Sequence, residues 1–217
     1  MGRTVAFRSL AAGLGLGALF LSTGCANGEP NPSATNTSDQ LDVEEIMLGD
    51  YLEYESLSDA VAASERTFIG TALSSKSIML YPEVSGSDDP LENPQASMNP
   101  KTREEFRKNS GVVETVTRVR VEEVLSGEIN SGDVIEVQQT GGTFEGTAFS
   151  DPSVTLLSGF TGTDQQFLFN LNPLPERFAP VSPKFGVLRV TGDTLSGLDG
   201  SSVKESLSDV KVVISQH

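Results

Sequence analysis

Apolar and polar residues alternate most clearly between Val112 and Leu125. Residues at every second position share one face and are apolar or small: Val113, Thr115, Thr117, Val119 and Val121. The residues between them are charged, with Val116 as the exception: Glu114, Arg118, Arg120 and Glu122. A period of two indicates a β-strand with one face in the core and the other in water. We therefore expect the charged face of this strand to be solvated.

Further segments have the composition of strands and are bounded by turn residues. They are Arg66–Leu73, with Ser77–Tyr81 as an extension, Val134–Thr140, Gln165–Leu171 and Gly186–Val190. Gly141-Gly142 ends one of these strands, and Thr191-Gly192-Asp193 predicts a tight turn into Thr194-Leu195. Strands of this length separated by glycine turns favour a closed or nearly closed antiparallel barrel.

Short helices are predicted at the edges of this barrel. Ser56 is a candidate N-cap, because the acidic residue Asp59 follows three positions later. Asn99 as N-cap and Gly111 as stop frame a second short helix over Thr102–Lys108.

A C-terminal helix is predicted from a capping-box pattern at Ser202–Glu205. Apolar residues at helical spacing continue this pattern to Ile214, although Lys211–Ile214 is also compatible with a strand. The predicted fold class is therefore mainly β: a small antiparallel, OB-like barrel with short helices at its edges and a helix at its C-terminal end.

The first 25 residues follow a different pattern. Arg3 and Arg8 precede an uncharged run of 13 residues, Leu10–Ser22, which is too short to cross a bilayer comfortably. Small residues then lead into a cysteine at Leu21–Cys25, and this segment resembles the lipobox of bacterial lipoprotein signal peptides. The resemblance implies cleavage just before Cys25 and attachment of a diacylglyceryl group to its thiol.

The segment after the cysteine is polar, and it divides the chain into three parts. Ala26–Gln40 is rich in Asn, Pro, Ser and Thr and has no large apolar residue, which predicts a flexible tether. We expect a signal peptide over residues 1–24, a lipid-anchored tether over residues 25–40 and a single β-rich domain over residues 41–217. The expected location is the extracytoplasmic face of the cell membrane.

Charge and composition restrict the partners of this domain. The 217 residues carry a formal net charge of −15, and removal of residues 1–24 takes away two arginines and no acidic residue, which leaves −17. Nucleic-acid binding requires a basic surface and is therefore not expected. An electrostatic attachment to anionic lipid is disfavoured for the same reason, so the acyl chains on Cys25 are expected to hold the protein at the membrane.

The scarcity of nucleophilic and metal-binding residues excludes several kinds of site. The one cysteine and the one histidine, His217 at the end of the chain, argue against disulfides, a Ser-His-Asp triad and histidine or cysteine metal sites. Ser201–Lys204 matches the S-x-x-K motif of penicillin-recognising enzymes, but neither S-D-N nor K-T-G occurs in the chain. No catalytic residue and no cofactor site is predicted.

Carboxylates are the remaining candidates for catalysis or metal binding. A sugar-cleaving pair is conceivable among four glutamates on or near the central strands: Glu114, Glu122, Glu123 and Glu136. We favour the interpretation that they pair across strands with Arg118 and Arg120 on the solvent face. Asp88-Asp89, or Asp193 with Asp199, are the candidates for calcium, but neither has EF-hand spacing, so no metal site is predicted.

Four segments in order resemble a group of uncharacterised bacterial exported proteins. They are Arg66–Leu73, Thr115–Glu128, Gly132–Gly142 and Gln165–Leu171, and the likeness extends over roughly residues 56–215. Those proteins have a V-x-x-V-L-K-G and G-D-x-V-x-V pattern followed by an aromatic strand. The order of elements is also similar to OB-fold-like netrin and metalloprotease-inhibitor modules, whose cysteines are absent here. The resemblance implies a barrel and supplies no activity.

Two long loops are the remaining candidate surfaces for a partner: Pro82–Gly111 and Gly141–Thr163. The second contains Phe144, Phe149 and Phe160, which we expect to close a barrel end rather than face a partner. We therefore expect a non-enzymatic, lipid-anchored protein whose barrel binds an envelope or protein partner or has a structural role. The alternative is a cell-envelope hydrolase that uses carboxylates or a Ser/Lys pair.

Overall fold

A computed structural model describes residues 44–81, 93 and 96–216 of the protein. The predicted signal peptide, Cys25, the tether, Asp88-Asp89 and His217 lie outside the described residues. The strands are β1 (Glu44–Ile46), β2 (Arg66–Leu80), β3 (Val112–Ser126), β4 (Val134–Thr140), β5 (Gly142–Phe144), β6 (Thr147–Ser150), β7 (Gln166–Pro173), β8 (Phe178–Pro180), β9 (Val187–Thr191) and β10 (Thr194–Gly197). The helices are α1 (Leu57–Ala62), α2 (Pro100–Asn109) and α3 (Leu207–Ser215), with a 3₁₀ turn at Leu157–Phe160.

The mainly β, barrel-like fold is confirmed, and its long strand β2 lies at the centre. β2 pairs antiparallel with β3 on one side and with β7 on the other, and β3 pairs with β4. β8 pairs with β7 and also contacts β4 through the parallel pair Val137–Phe178, so that β7, β2, β3, β4 and β8 form a ring. β9 and β10 extend the sheet beyond β7 as a hairpin.

Aromatic residues fill the core of the ring. The rings of Phe68 and Phe169 stack with their centroids 4.9 Å apart, and Phe167 lies edge-on to Phe169. Phe160 packs edge-on against Phe167 at 5.7 Å, so this residue of the loop lies against the core of the ring. Phe144 lies in β5 and Phe149 in β6, both half-buried.

A second apolar core lies between the sheet and the helices α1 and α3. Leu57, Leu168, Leu188 and Leu207 are among its buried residues. The predicted N-cap Ser56 is confirmed, since its hydroxyl accepts a hydrogen bond from the Asp59 N–H at 3.1 Å. The predicted helix before Gly111 is also confirmed, as α2 with Asn99 at its N-cap.

The predicted start of the C-terminal helix is wrong by four residues. Ser202 pairs with Ser196 in an extended segment, so the pattern at Ser202–Glu205 does not cap a helix. The capping box that forms is Ser206 with Asp209, and α3 begins at the next residue. No helix within the described residues combines the length and the apolar run that crossing a bilayer requires.

A three-stranded sheet, in the order β1-β6-β5, was not predicted. Its edge strand β1 runs parallel to β6, with Glu44 opposite Ala148 and Ile46 opposite Ser150. This pairing brings the N-terminal end of the described chain to the loop that follows β6, and so positions the segment after β1 beside the barrel.

Candidate functional site

A cleft with two lobes lies beside the segment of residues 49–54, which we call the strap. The outer lobe has a volume of about 560 Å³ and is lined by the strap, Ser182–Lys184 and Gly197–Asp199, among others. The inner lobe has a volume of about 240 Å³ and lies against Glu114 of β3 and the end of β4. Tyr51 and Leu198 line both lobes, so they stand where the two lobes meet.

The buried carboxylate of Asp151 holds the strap in place. Its Oδ2 accepts hydrogen bonds from the Gly49 N–H at 2.8 Å and from the Tyr51 hydroxyl at 3.1 Å. Its Oδ1 accepts from the N–H and the hydroxyl of Ser153, at 2.9 and 2.6 Å. Burial alone would raise the pKa of Asp151, but these donors lower it below its usual value. Both oxygens are therefore occupied in a structural role.

Glu114 is the buried acid of the inner lobe. The prediction that its side chain lies on a solvated face is wrong. Only 9 % of its surface is exposed, and its Oε1 accepts a hydrogen bond from the Thr140 hydroxyl at 3.2 Å. Burial raises the pKa of Glu114 above its usual value, against a lowering effect of the Thr140 hydroxyl. Its neighbour Val116 is 1 % exposed, so the face predicted to be polar is covered at this end of β3.

The predicted pairing of the other glutamates with Arg118 and Arg120 is also wrong. Glu122 accepts hydrogen bonds from Thr71 and Gln166, and Glu123 pairs with Lys211 of α3. Glu136 lies opposite Arg118 in the β3–β4 register, yet its ion pair is with Arg177 of the β7–β8 connection. Strand pairing places residues side by side, but segments outside the strand pair supply these partners.

Tyr51 interacts with both buried carboxyl groups: it is hydrogen-bonded to Asp151, and the charge of Glu114 acts on its hydroxyl. Burial is the main cause that raises the pKa of its hydroxyl above the usual value. The hydrogen bond to Asp151 and the negative charges of Asp151 and Glu114 raise it further, while the Thr140 hydroxyl lowers it. Tyr51 therefore stays protonated at neutral pH and donates a hydrogen bond to Asp151.

Three polar contacts hold the segments around the inner lobe. The Arg177 Nε lies 3.1 Å from Glu136 Oε2, which ties the β7–β8 connection to β4. On the other side, the buried Gln139 side chain donates to the Thr155 carbonyl oxygen at 3.2 Å and accepts from the Leu157 N–H at 2.9 Å. The loop after β6 is thereby held against the end of β4, so the lobe is a preformed cavity.

The conformation of Ser201–Lys204 does not favour a catalytic Ser/Lys pair of the S-x-x-K type. Ser201 lines the outer lobe, but the residues up to Lys204 are extended or irregular rather than helical, and Lys204 is exposed. A Ser/Lys pair at this spacing meets when both residues lie on one face of a helix.

The carboxylates considered for calcium have other partners. Asp193 accepts hydrogen bonds from the N–H and hydroxyl of Ser208 at the start of α3. Asp199 lines the outer lobe and accepts from the Ser201 N–H at 2.9 Å. Over residues 44–81, 93 and 96–216, no group of three or more His, Cys, Asp or Glu side chains is placed to hold a metal ion.

Tyr51, Asp151 and Leu198 are site residues that the sequence analysis did not single out. A turn signal is present at Asp151-Pro152-Ser153, and the apolar Val116 among charged neighbours indicated a covered face. Neither signal shows which segment, distant in the sequence, packs against these residues in the fold. No known family model matches the chain, and no curated protein matches its sequence. The chemistry of the cleft is therefore the guide to the function of the protein.

Proposed function

We propose that the protein is a non-enzymatic, lipid-anchored binding protein of the cell surface, whose ligand occupies the cleft beside the strap. The observation that carries the proposal is a preformed cavity of about 240 Å³ with mostly apolar walls and a buried acid, Glu114. Small-molecule sites have this composition: apolar walls with a few fixed polar groups. The lipobox-like segment ending at Cys25 supports the anchor, which would leave the cleft outside the cytoplasm.

The carboxyl groups of the cleft favour binding over the alternative, hydrolysis with carboxylates. Glycoside hydrolysis uses one protonated carboxyl group and a second, free carboxylate across the bond. Burial raises the pKa of Glu114, which is the direction that the first role requires, but Asp151 accepts four hydrogen bonds, two at each oxygen, so neither oxygen is available for water or substrate. Glu114 is the one carboxylate that lines the inner lobe within the described chain.

Saturation-transfer NMR on the full-length chain tests whether the cleft binds small molecules. The ligands are single-ring compounds of three charge types: benzyl alcohol, benzylammonium and benzoate. We expect transfer to at least one of them, and loss of the signal in Val154→Phe, which fills the inner lobe from a half-buried position. The matched control is Val212→Phe on the exposed side of α3, where Val212 is 56 % exposed. Signals unchanged by Val154→Phe, or absent altogether, would contradict the proposal.

Turnover assays separate the proposal from the hydrolase alternative. We expect the purified protein to release no product from aryl esters, chromogenic glycosides, wall polymers or peptides. Activity that disappears in Glu114→Gln, but not in the exposed control Glu128→Gln, would establish a carboxylate hydrolase and overturn the proposal. Activity that disappears in Lys204→Ala would do the same for a Ser/Lys enzyme.

A further inference from the structure

The inner lobe contains a carboxyl group that no cation of the described chain neutralises. Glu114 is nine-tenths buried, and the Thr140 hydroxyl at its Oε1 is the one hydrogen bond that it receives from the described residues. The arginines of the same strand, Arg118 and Arg120, are exposed and form no ion pair with it. A buried carboxylate without a counter-charge is costly, so a cation that enters the lobe gains the interaction that the fold does not supply.

The walls of the inner lobe suit an apolar body beside this acid. The side chains that line it include Val154, Leu174, Pro180, Val187 and Leu198. An apolar cavity of about 150 Å³ takes up a benzene molecule, so a lobe of about 240 Å³ has room for one ring and a short substituent. The aromatic Tyr51 at the junction of the lobes adds a surface to which cations are attracted.

The charges of the outer lobe favour the same kind of ligand. Asp50, Glu53 and Asp199 line it, against one basic residue, Lys184. The chain as a whole carries a formal net charge of −15, so cations are drawn to the cleft and anions are repelled. A metal ion is disfavoured because, among the described residues, no second carboxylate lines the inner lobe beside Glu114.

We propose that the inner lobe binds the ammonium group of a compact organic amine, with Glu114 as its counter-ion and the apolar walls around its body. The proposal rests on the ligand-binding role of the cleft and names the class of ligand. Two independent observations support it: a buried carboxyl group that receives one hydrogen bond and no counter-charge from the described residues, and the mostly apolar lining of a cavity of matching size.

A titration with three ligands of the same shape tests the proposal. Benzylammonium, benzyl alcohol and benzoate are added in turn to the ¹⁵N-labelled full-length protein, and dissociation constants are taken from the shifts of amide signals around the inner lobe. We expect benzylammonium to bind at least about tenfold more tightly than benzyl alcohol, because a hydrogen bond between an ammonium group and a carboxylate is stronger than one between neutral groups. Benzoate should bind most weakly.

Glu114→Gln removes the charge but leaves the shape of the side chain. We expect it to weaken benzylammonium about tenfold or more and to leave benzyl alcohol within about twofold, whereas the exposed control Glu128→Gln changes neither. Benzyl alcohol or benzoate binding as tightly as benzylammonium to the wild-type protein would overturn the proposal and leave the cleft as a binding site. Binding of none of the three would overturn both this proposal and the proposed function.

Discussion

Burial of Glu114 makes the free energy of unfolding depend on pH. Its folded-state pKa is raised, while the unfolded chain titrates near its usual value of 4.5. Below pH 4.5 the carboxyl group is protonated in both states and does not lower stability. As the pH rises from there through the folded-state pKa, the folded form retains a proton that the unfolded form has lost, so stability falls.

Glu114→Gln should therefore be more stable than the wild-type protein at neutral pH, and the difference should vanish near pH 4. The measurement is urea unfolding of both proteins at half-unit steps from pH 4 to pH 8. Asp151 is present in both proteins, and Tyr51, whose pKa is raised, stays protonated in the folded form over this range, so neither group produces a pH-dependent difference. A difference that stays constant over this range would show that Glu114 is solvated.

Asp151 is the residue on which the position of the strap depends. Asp151→Ala removes the acceptor of four hydrogen bonds, to Gly49, Tyr51 and Ser153, and leaves donors near the barrel unpaired. We expect a loss of about 2–4 kcal/mol in the free energy of unfolding, together with faster proteolysis of the strap. The control Asp164→Ala, at an exposed residue, should change stability by less than about 0.5 kcal/mol. Equal effects of the two substitutions would contradict the role of Asp151 in holding the strap.

At the scale of the element, two serines allow the start of α3 to be tested: Ser206 caps the helix in the structure, whereas the sequence pattern favoured Ser202. The Ser206 hydroxyl accepts from the Asp209 N–H at 3.1 Å and completes a capping box. Ser206→Ala should lower the free energy of unfolding by about 1 kcal/mol, the usual cost of losing such a cap. Ser202→Ala, at the position that the sequence pattern favoured, should have little effect. Urea unfolding of the two variants checks this, and the reverse order would place the cap at Ser202.

The long strands show why periodicity predicts the position of a strand better than it predicts which of its residues are exposed. β3 alternates cleanly from Thr117 to Arg120, where buried and exposed residues follow each other. From Val113 to Thr117 five consecutive residues are buried, since the site covers the outer face there. Alternation reports which residues share a face, but it cannot report what covers that face.

At the scale of the whole molecule, the predicted location of the protein at the membrane depends on one residue, Cys25. We expect Cys25→Ser to move the full-length protein from the membrane fraction to the supernatant and to abolish incorporation of labelled palmitate. No second attachment is expected to compensate, because the strongly acidic mature chain is repelled by anionic lipid. Ser33→Ala in the predicted tether is the control and should remain in the membrane fraction. A membrane-bound Cys25→Ser protein would contradict the lipoprotein assignment.

The sequence alone determined the mainly β fold, the long strands and the caps at Ser56 and Asn99, because these depend on periodicity and on contacts between residues a few positions apart. The tertiary structure decided the rest. Gly49 and Tyr51 reach Asp151 across 102 and 100 positions, and burial of Glu114 follows from the assembly of the strap, β4 and the β7–β8 connection. Whether a charged residue meets water or a cavity depends on segments distant in the chain, and local patterns do not encode that choice.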